Sequence, residues 1–213
     1  MKKYYFILLF LLILNGCSKN SVEWYSKNLD EAISLSDNKI IMIDFYTDWW
    51  YACKLLDANT FTDLNVSEYL NQNFMNLKID AESEYGKNLF ADYNGTAYPL
   101  LLFLDSDKNE LERFYGFLDP EPFLQKLEDI KNGNNTFPIL QAQYESGDNS
   151  AETLSLLAFK YAERGDDSIA TTLYKDVILS KNLSSKMFFE AKYFISAQKL
   201  KENKSLELEE YIN

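Results

Sequence analysis

The sequence predicts an α/β domain with a mixed central sheet and helices on both faces, followed by a small all-α module. Three observations predict it. Short apolar runs alternate with helical stretches between residues 26 and 131. A polar, turn-rich run, Lys131-Asn132-Gly133-Asn134-Asn135-Thr136, then breaks the pattern, and beyond it the apolar spacing is helical throughout. With 213 residues, 46% hydrophobic and 15% aromatic, the chain can bury a full core in one domain plus an appendage.

Taken in order, Leu29, Ala32, Ile33 and Leu35 recur at helical spacing, and the unbroken run Ile40-Ile41-Met42-Ile43-Asp44-Phe45 reads as a strand buried on both faces. A helix is predicted over residues 50–58, a break over 60–65, and a short helix over 66–72. Phe74-Met75-Asn76-Leu77-Lys78-Ile79 supplies a second strand and residues 83–92 another helix. Leu100-Leu101-Leu102-Phe103-Leu104 is a strand, 105–109 a turn and 111–115 its returning partner. A closing helix over 120–130 has its start marked by Asp119 and Pro120.

The first residues carry a separate signal. Met1-Lys2-Lys3, an apolar run from Tyr4 to Leu14 and then Asn15-Gly16-Cys17 form the basic, apolar and small-residue regions of a secretory leader, too short for a permanent bilayer span. The ending Leu14-Asn15-Gly16-Cys17 resembles a bacterial lipobox, which implies cleavage before Cys17 and acylation of that cysteine. An ordinary secretory signal followed by a cysteine is the plainer reading. The expected organisation is a lipoprotein signal peptide over 1–16, a lipidated N-terminus and tether over 17–25, the α/β domain over 26–131 and the helical module over 132–213. Several acyl chains, at about 0.8 kcal/mol per buried methylene, hold a protein on a membrane. The expected location is the bacterial cell envelope, anchored to a membrane and facing the periplasm.

Composition narrows the function. The formal net charge is −12, and loss of Lys2 and Lys3 with the leader leaves 19 basic against 33 acidic residues, or −14. Such a surface repels phosphate backbones and anionic headgroups, so no nucleic acid is expected as partner and membrane attachment is expected only through the anchor. The chain has no histidine, which excludes Ser-His-Asp triads and His-ligated metals. Of two cysteines, Cys17 goes to the anchor and Cys53 remains alone, so the mature chain forms no internal disulfide. No metal and no cofactor are expected.

Asp44-Phe45-Tyr46-Thr47-Asp48-Trp49-Trp50-Tyr51-Ala52-Cys53-Lys54 resembles the active-site segment of thioredoxin-fold proteins, in which a strand ends and Trp-Cys-x-x-Cys-Lys opens a helix. It is similar above all to the C-terminal periplasmic domain of the transmembrane thiol:disulfide interchange reductases. The similarity continues through Thr60-Phe61-Thr62-Asp63, Tyr98-Pro99 and Gly116-Phe117-Leu118-Asp119, covering about residues 38–128. The resemblance implies a thioredoxin fold and a site with two thiols. The first, at an exposed helix N-terminus, attacks a substrate disulfide as thiolate, and the second, one turn in, resolves the mixed disulfide. Trp50 occupies the first position and Cys53 the second, so exchange lacks its attacking atom.

The resemblance also implies roles for the surroundings. Asp44 matches the buried acid that moves the proton of the resolving thiol, or it simply satisfies a backbone amide or a water. Pro99, after Tyr98, matches a cis-proline whose loop pairs with an extended substrate strand, or it is a rigid turn. Trp49 matches a residue that packs beside the site. Trp50 either stacks over the Pro99 loop and closes the groove, the preferred reading, or offers a partner an apolar anchor; with Tyr51 these form an aromatic run at the motif. The partner expected at this Trp50/Pro99 groove is a protein or an extended peptide.

In the second module, Leu154, Leu157, Ala158, Tyr161, Gly165, Ala170, Tyr174 and Val177 resemble one tetratricopeptide repeat of about 34 residues, with Asn182 near the place of its usual late proline. Residues 187–200 read as a capping helix. A lone repeat fits a small add-on packed on the first domain better than a peptide-binding array. Glu82 with Glu84, and Glu207 with Glu209 and Glu210, read as solvated faces, and Gly95 and Gly116 as isolated turn glycines. The function expected is thus a binding or assembly module with a degenerate redox site. The alternative is a periplasmic oxidoreductase exchanging through Cys53 alone.

Overall fold

The computed structural model describes residues 21–212, with side chains described through Asn203. The expected leader, the Cys17 anchor and the cluster Glu207, Glu209 and Glu210 lie outside the residues or side chains described. Among the described residues, β1 (Ile40–Tyr46), β2 (Phe74–Asp80), β3 (Leu100–Leu104) and β4 (Glu110–Tyr115) form one sheet in the order β2-β1-β3-β4. β1 runs parallel to β2 and antiparallel to β3, and β3 is antiparallel to β4. The mixed sheet and the thioredoxin-like fold are therefore as expected.

Alternation along the strands explains the two cores. Ile41, Ile43 and Phe45 join Leu100, Leu102, Leu104 and Leu77 on one face, covered by α1 (Leu29–Leu35) and, beyond β2, by α4 (Glu84–Asp92). Met42, Leu101, Phe103 and Phe114 face the other way. There they meet the turn that follows α2 (Tyr51–Leu55), together with α3 (Leu64–Asn73) and α5 (Pro120–Asn132), through Leu56, Val66, Leu70, Phe123 and Leu127. Asp44 has the parity of Met42, so it points to the face that carries α2.

Three boundaries differ from expectation. The helix over 50–58 stops at Leu55 and continues as a π-helical turn, Leu56–Thr60, closed by a 2.9 Å bond from Phe61 N to Leu56 O. The wider turn buries Leu56, Thr60 and Phe61 together, and the Thr60 hydroxyl donates to Leu118 O at 2.6 Å. The break after the first domain is shorter, because α5 runs to Asn132 and ends on Gly133 in the left-handed conformation, φ 70°. The last residues of the expected tether are docked: Tyr25 bridges Leu77 in parallel and its N–H donates to Asn76 O at 2.7 Å.

The second module packs α6 (Phe137–Glu145), α7 (Ala151–Glu163), α8 (Asp167–Leu179) and α9 (Ser185–Ile212) around Leu140, Leu154, Leu157, Leu173 and Val177. Ala158, Ala170 and Ala191 are fully covered, the small residues that let the helices approach. It docks on β4. Lys160 pairs with Glu112, and Arg164 reaches Glu110 at 2.5 Å while its guanidinium lies 3.7 Å from the centre of the Phe137 ring.

Candidate functional site

The site begins where β1 ends. Trp50 is the N-cap of α2, with extended backbone (φ −81°, ψ 125°), and its indole is 44% exposed. Its ring packs edge-on against Trp49 at 5.5 Å. Trp49, expected to be packed, is 58% exposed, and Tyr51 is 71% exposed. Tyr98 packs on Phe90 at 4.9 Å, and the described ring partner of Trp50 is Trp49. The helix tip therefore presents an open aromatic run. Trp49 and Trp50 cover each other's edges because the turn leading into α2 leaves both side chains outside the core.

One turn into α2, Cys53 is 2% exposed. Burial pushes its thiol above the ordinary range; a backbone hydrogen bond from Thr47 opposes this, while the Asp44 charge adds to it and Lys78 subtracts. A thiol so placed holds its proton at neutral pH and is a poor nucleophile.

Asp44 is 1% exposed and stands in register with Lys78 of β2. Its Oδ2 accepts from Lys78 Nζ at 3.1 Å, and its Oδ1 has no hydrogen-bond partner among the described residues. Burial raises its pKa to about 6, with Lys78 holding it back. Lys78 also pairs with Asp57, and its Nζ lies 5.2, 4.8 and 5.5 Å from the ring centres of Trp24, Tyr46 and Phe61. Burial pulls the ammonium down, but Asp44 and Asp57 outweigh it and hold it above its ordinary value. The arrangement can store a proton on Asp44 beside a buried thiol.

Sequence reasoning missed Lys78, Asp57, Thr47 and Trp24. Lys78 interrupts an apolar strand, which was the available signal, but only the β1/β2 register reveals its partner. Opposite the motif, the Tyr98–Pro99 bond is cis. Pro99 O already accepts from Gly116 N at 3.0 Å, and Gly116 has φ 84°, so an extended segment pairing here would use the Tyr98 backbone. Glu82 and Glu84 are exposed, and no metal-holding group of side chains occurs among the described residues.

The chain is similar to several known proteins. The thiol:disulfide interchange protein DsbD of Haemophilus influenzae is 31% identical over 109 residues, 49% of this chain and 19% of that protein. Its counterpart from Actinobacillus pleuropneumoniae is 34% identical over 106 residues, 48% of this chain and 18% of that one. The chain thus spans less than a fifth of the length of these curated relatives. Among solved structures, a thioredoxin from Thermus thermophilus aligns at 21% identity and TM-score 0.47, covering 54% of this chain and 90% of that one. The C-terminal domain of Neisseria meningitidis DsbD in its reduced form aligns at 24% and 0.40, covering 47% and 88%. Residues 27–131 match the family described as thioredoxin-like domain. Over those residues the chain is similar to thioredoxin-like domains.

Proposed function

We propose that the chain is a membrane-anchored binding or assembly module of the cell envelope, facing the periplasm, whose thioredoxin-like domain has lost ordinary dithiol oxidoreductase activity. The observation that carries this reading is Trp50. Trp50 stands at the N-cap of α2, the attacking position, while the one motif thiol, Cys53, is buried and its pKa is pushed up by that burial. Disulfide exchange needs a thiolate that can reach its target, and burial of Cys53 works against both conditions. The open run Trp49-Trp50-Tyr51 beside the Tyr98–Pro99 loop instead offers apolar anchors to a protein or extended peptide, whose backbone would pair at Tyr98. Acylated Cys17 would supply the membrane attachment.

The second reading, exchange through Cys53 alone, is favoured by the thiol:disulfide interchange relatives, and both readings meet in one assay. Wild-type protein is expected to leave insulin disulfides unreduced in the presence of a dithiol donor. Turnover by wild type, lost in Cys53→Ser, overturns the binding-module reading.

A further inference from the structure

We infer that, tethered through Cys17, the domain stands with the N-terminal ends of β1 and β2 toward the bilayer and presents Trp49, Trp50 and Tyr51 away from it. This inference rests on the anchor in the reading above and concerns which face meets the lipid.

The first step is where the tether becomes part of the fold. Ser21 O accepts from Asn71 Nδ2 at 3.2 Å, the N–H of Glu23 donates to Asn71 Oδ1 at 2.8 Å, and Val22 is 5% exposed in the core. Trp24 then packs edge-on against Phe61 at 4.9 Å. The segment from Ser21 to Tyr25 runs parallel to β2, because Tyr25 bridges Leu77 with β2 direction retained. Ser21 therefore lies level with the end of α3, just before β2 begins. Residues 18–20 alone separate it from Cys17, a reach of at most about 14 Å even fully extended.

The second step is strand polarity. β1 and β2 start together, Ile40 beside Phe74, and end together, Tyr46 beside Asp80. The tether enters at the starting end and the motif follows the finishing end. Six residue steps of β1, about 20 Å, lie between them, before the turn that leads to Trp50. The β3–β4 turn, with exposed Asp107, shares the tether's end, since Leu104 pairs with Ile41.

The third step asks whether the aromatic tip could bend back as an interfacial anchor. Tryptophan and tyrosine do favour headgroup regions. Here Asp48 and Glu82 are exposed at the tip, and the charges of Asp48, Asp80 and Glu82 reach Tyr46 or Tyr98. Carboxylates around the rings oppose docking on anionic lipid, and a chain near −14 supplies no counter-attraction. The tip is left to the aqueous space, where a protein partner can reach it.

The test uses the mature chain, residues 17–213, with Cys17 coupled to a maleimide phospholipid in phosphatidylcholine vesicles under native conditions, where Cys53 is covered. The sequence has three tryptophans, so Trp24→Phe leaves Trp49 and Trp50 as reporters. Their emission is expected to be unaffected by headgroup nitroxide lipids and quenched by aqueous acrylamide as fully as without vesicles. A second reporter, Asp107→Trp with the three native tryptophans changed to Phe, is expected to lose emission to the same nitroxide lipids. Nitroxide quenching at the tip, or none at residue 107, overturns the orientation. The mass of chain extracted from native membranes reports acylation separately, so failure of the anchor and failure of the orientation are distinguishable.

Discussion

Asp44 and Lys78 face each other in register across the parallel pair β1 and β2, with Oδ2 and Nζ 3.1 Å apart on the sheet face that carries α2. Lys78 is shared with Asp57, so the carboxylate beneath the motif is only partly compensated. Burial therefore outweighs the ammonium and raises the proton affinity of Asp44, with Asp57 adding to the rise.

The first prediction follows from linkage. Asp44 has a folded pKa of about 6, raised by burial from the ordinary carboxylate range. A raised folded value means that the folded state binds the proton more tightly than the unfolded chain. The associated stability is fully present below about pH 4 and is lost as pH rises through about 6. Two pH units correspond to about 3 kcal/mol as an order of magnitude. Asp44→Asn removes this dependence. Its urea midpoint is expected above wild type's at pH 8, with the difference shrinking toward pH 4. An equal offset at both pH values would contradict the assignment.

Cys53 supplies the second. In unacylated full-length chain, neutral alkylation of Cys53 is expected to be slow in folded protein and fast in denaturant. Burial limits access, and the raised pKa limits the thiolate that remains. Mass spectrometry of time points gives the two rates. Rapid native labelling of Cys53 with a midpoint below that of an ordinary thiol would favour the one-cysteine enzyme.

A third prediction concerns the docking of the helical module. Glu112 and Lys160 form an ion pair with side chains 8% and 13% exposed, and Arg164 is 3.9 Å from the same carboxylate. Removing one partner strands a covered charge, whereas removing both does not. Glu112→Gln is expected to destabilise by about 2–4 kcal/mol, and Lys160→Met in that background to recover most of the loss. Urea titrations of the two single variants and the double variant read the coupling. Additive losses would show that the pair does not hold the module to β4.

These residues also show how far the sequence could be read. The strands were legible because Ile40–Phe45 and Leu100–Leu104 are apolar on both faces, and α5 because Asp119-Pro120 marks its start. Burial of Asp44 was implied by the resemblance of its segment to the thioredoxin-fold motif, and the structure has it 1% exposed. Lys78 did not reveal itself, because its meaning lies in a register between strands 34 positions apart. The exposure of Trp49 was not legible for a related reason. The sequence shows that two indoles enter a helix start, but not that they meet edge to edge and leave Trp49 58% exposed. The π-helical turn was likewise invisible, since it is imposed by packing Thr60 and Phe61 under Leu118 and Phe123.

The last prediction asks whether the missing thiol is the whole of the lesion. Trp50 is the cap of α2 and Cys53 lies three residues on, so their Cα atoms stand within the span a disulfide requires. Trp50→Cys is therefore expected to form a 50–53 disulfide, seen as the loss of two free thiols on oxidation, and to gain measurable insulin reduction over wild type. The indole leaves a gap, but it is 44% exposed and contacts Trp49 at the surface, so the surroundings can relax more easily than in a core. Asp44, Lys78 and the cis Tyr98–Pro99 loop remain in place to handle the proton and to meet an extended substrate. Equal rates for variant and wild type would mean that Trp50 is no obstacle to exchange. A variant that forms the disulfide yet stays inert would place the block at the groove, where Pro99 O is already committed to Gly116 and Trp49 remains exposed beside the new thiol.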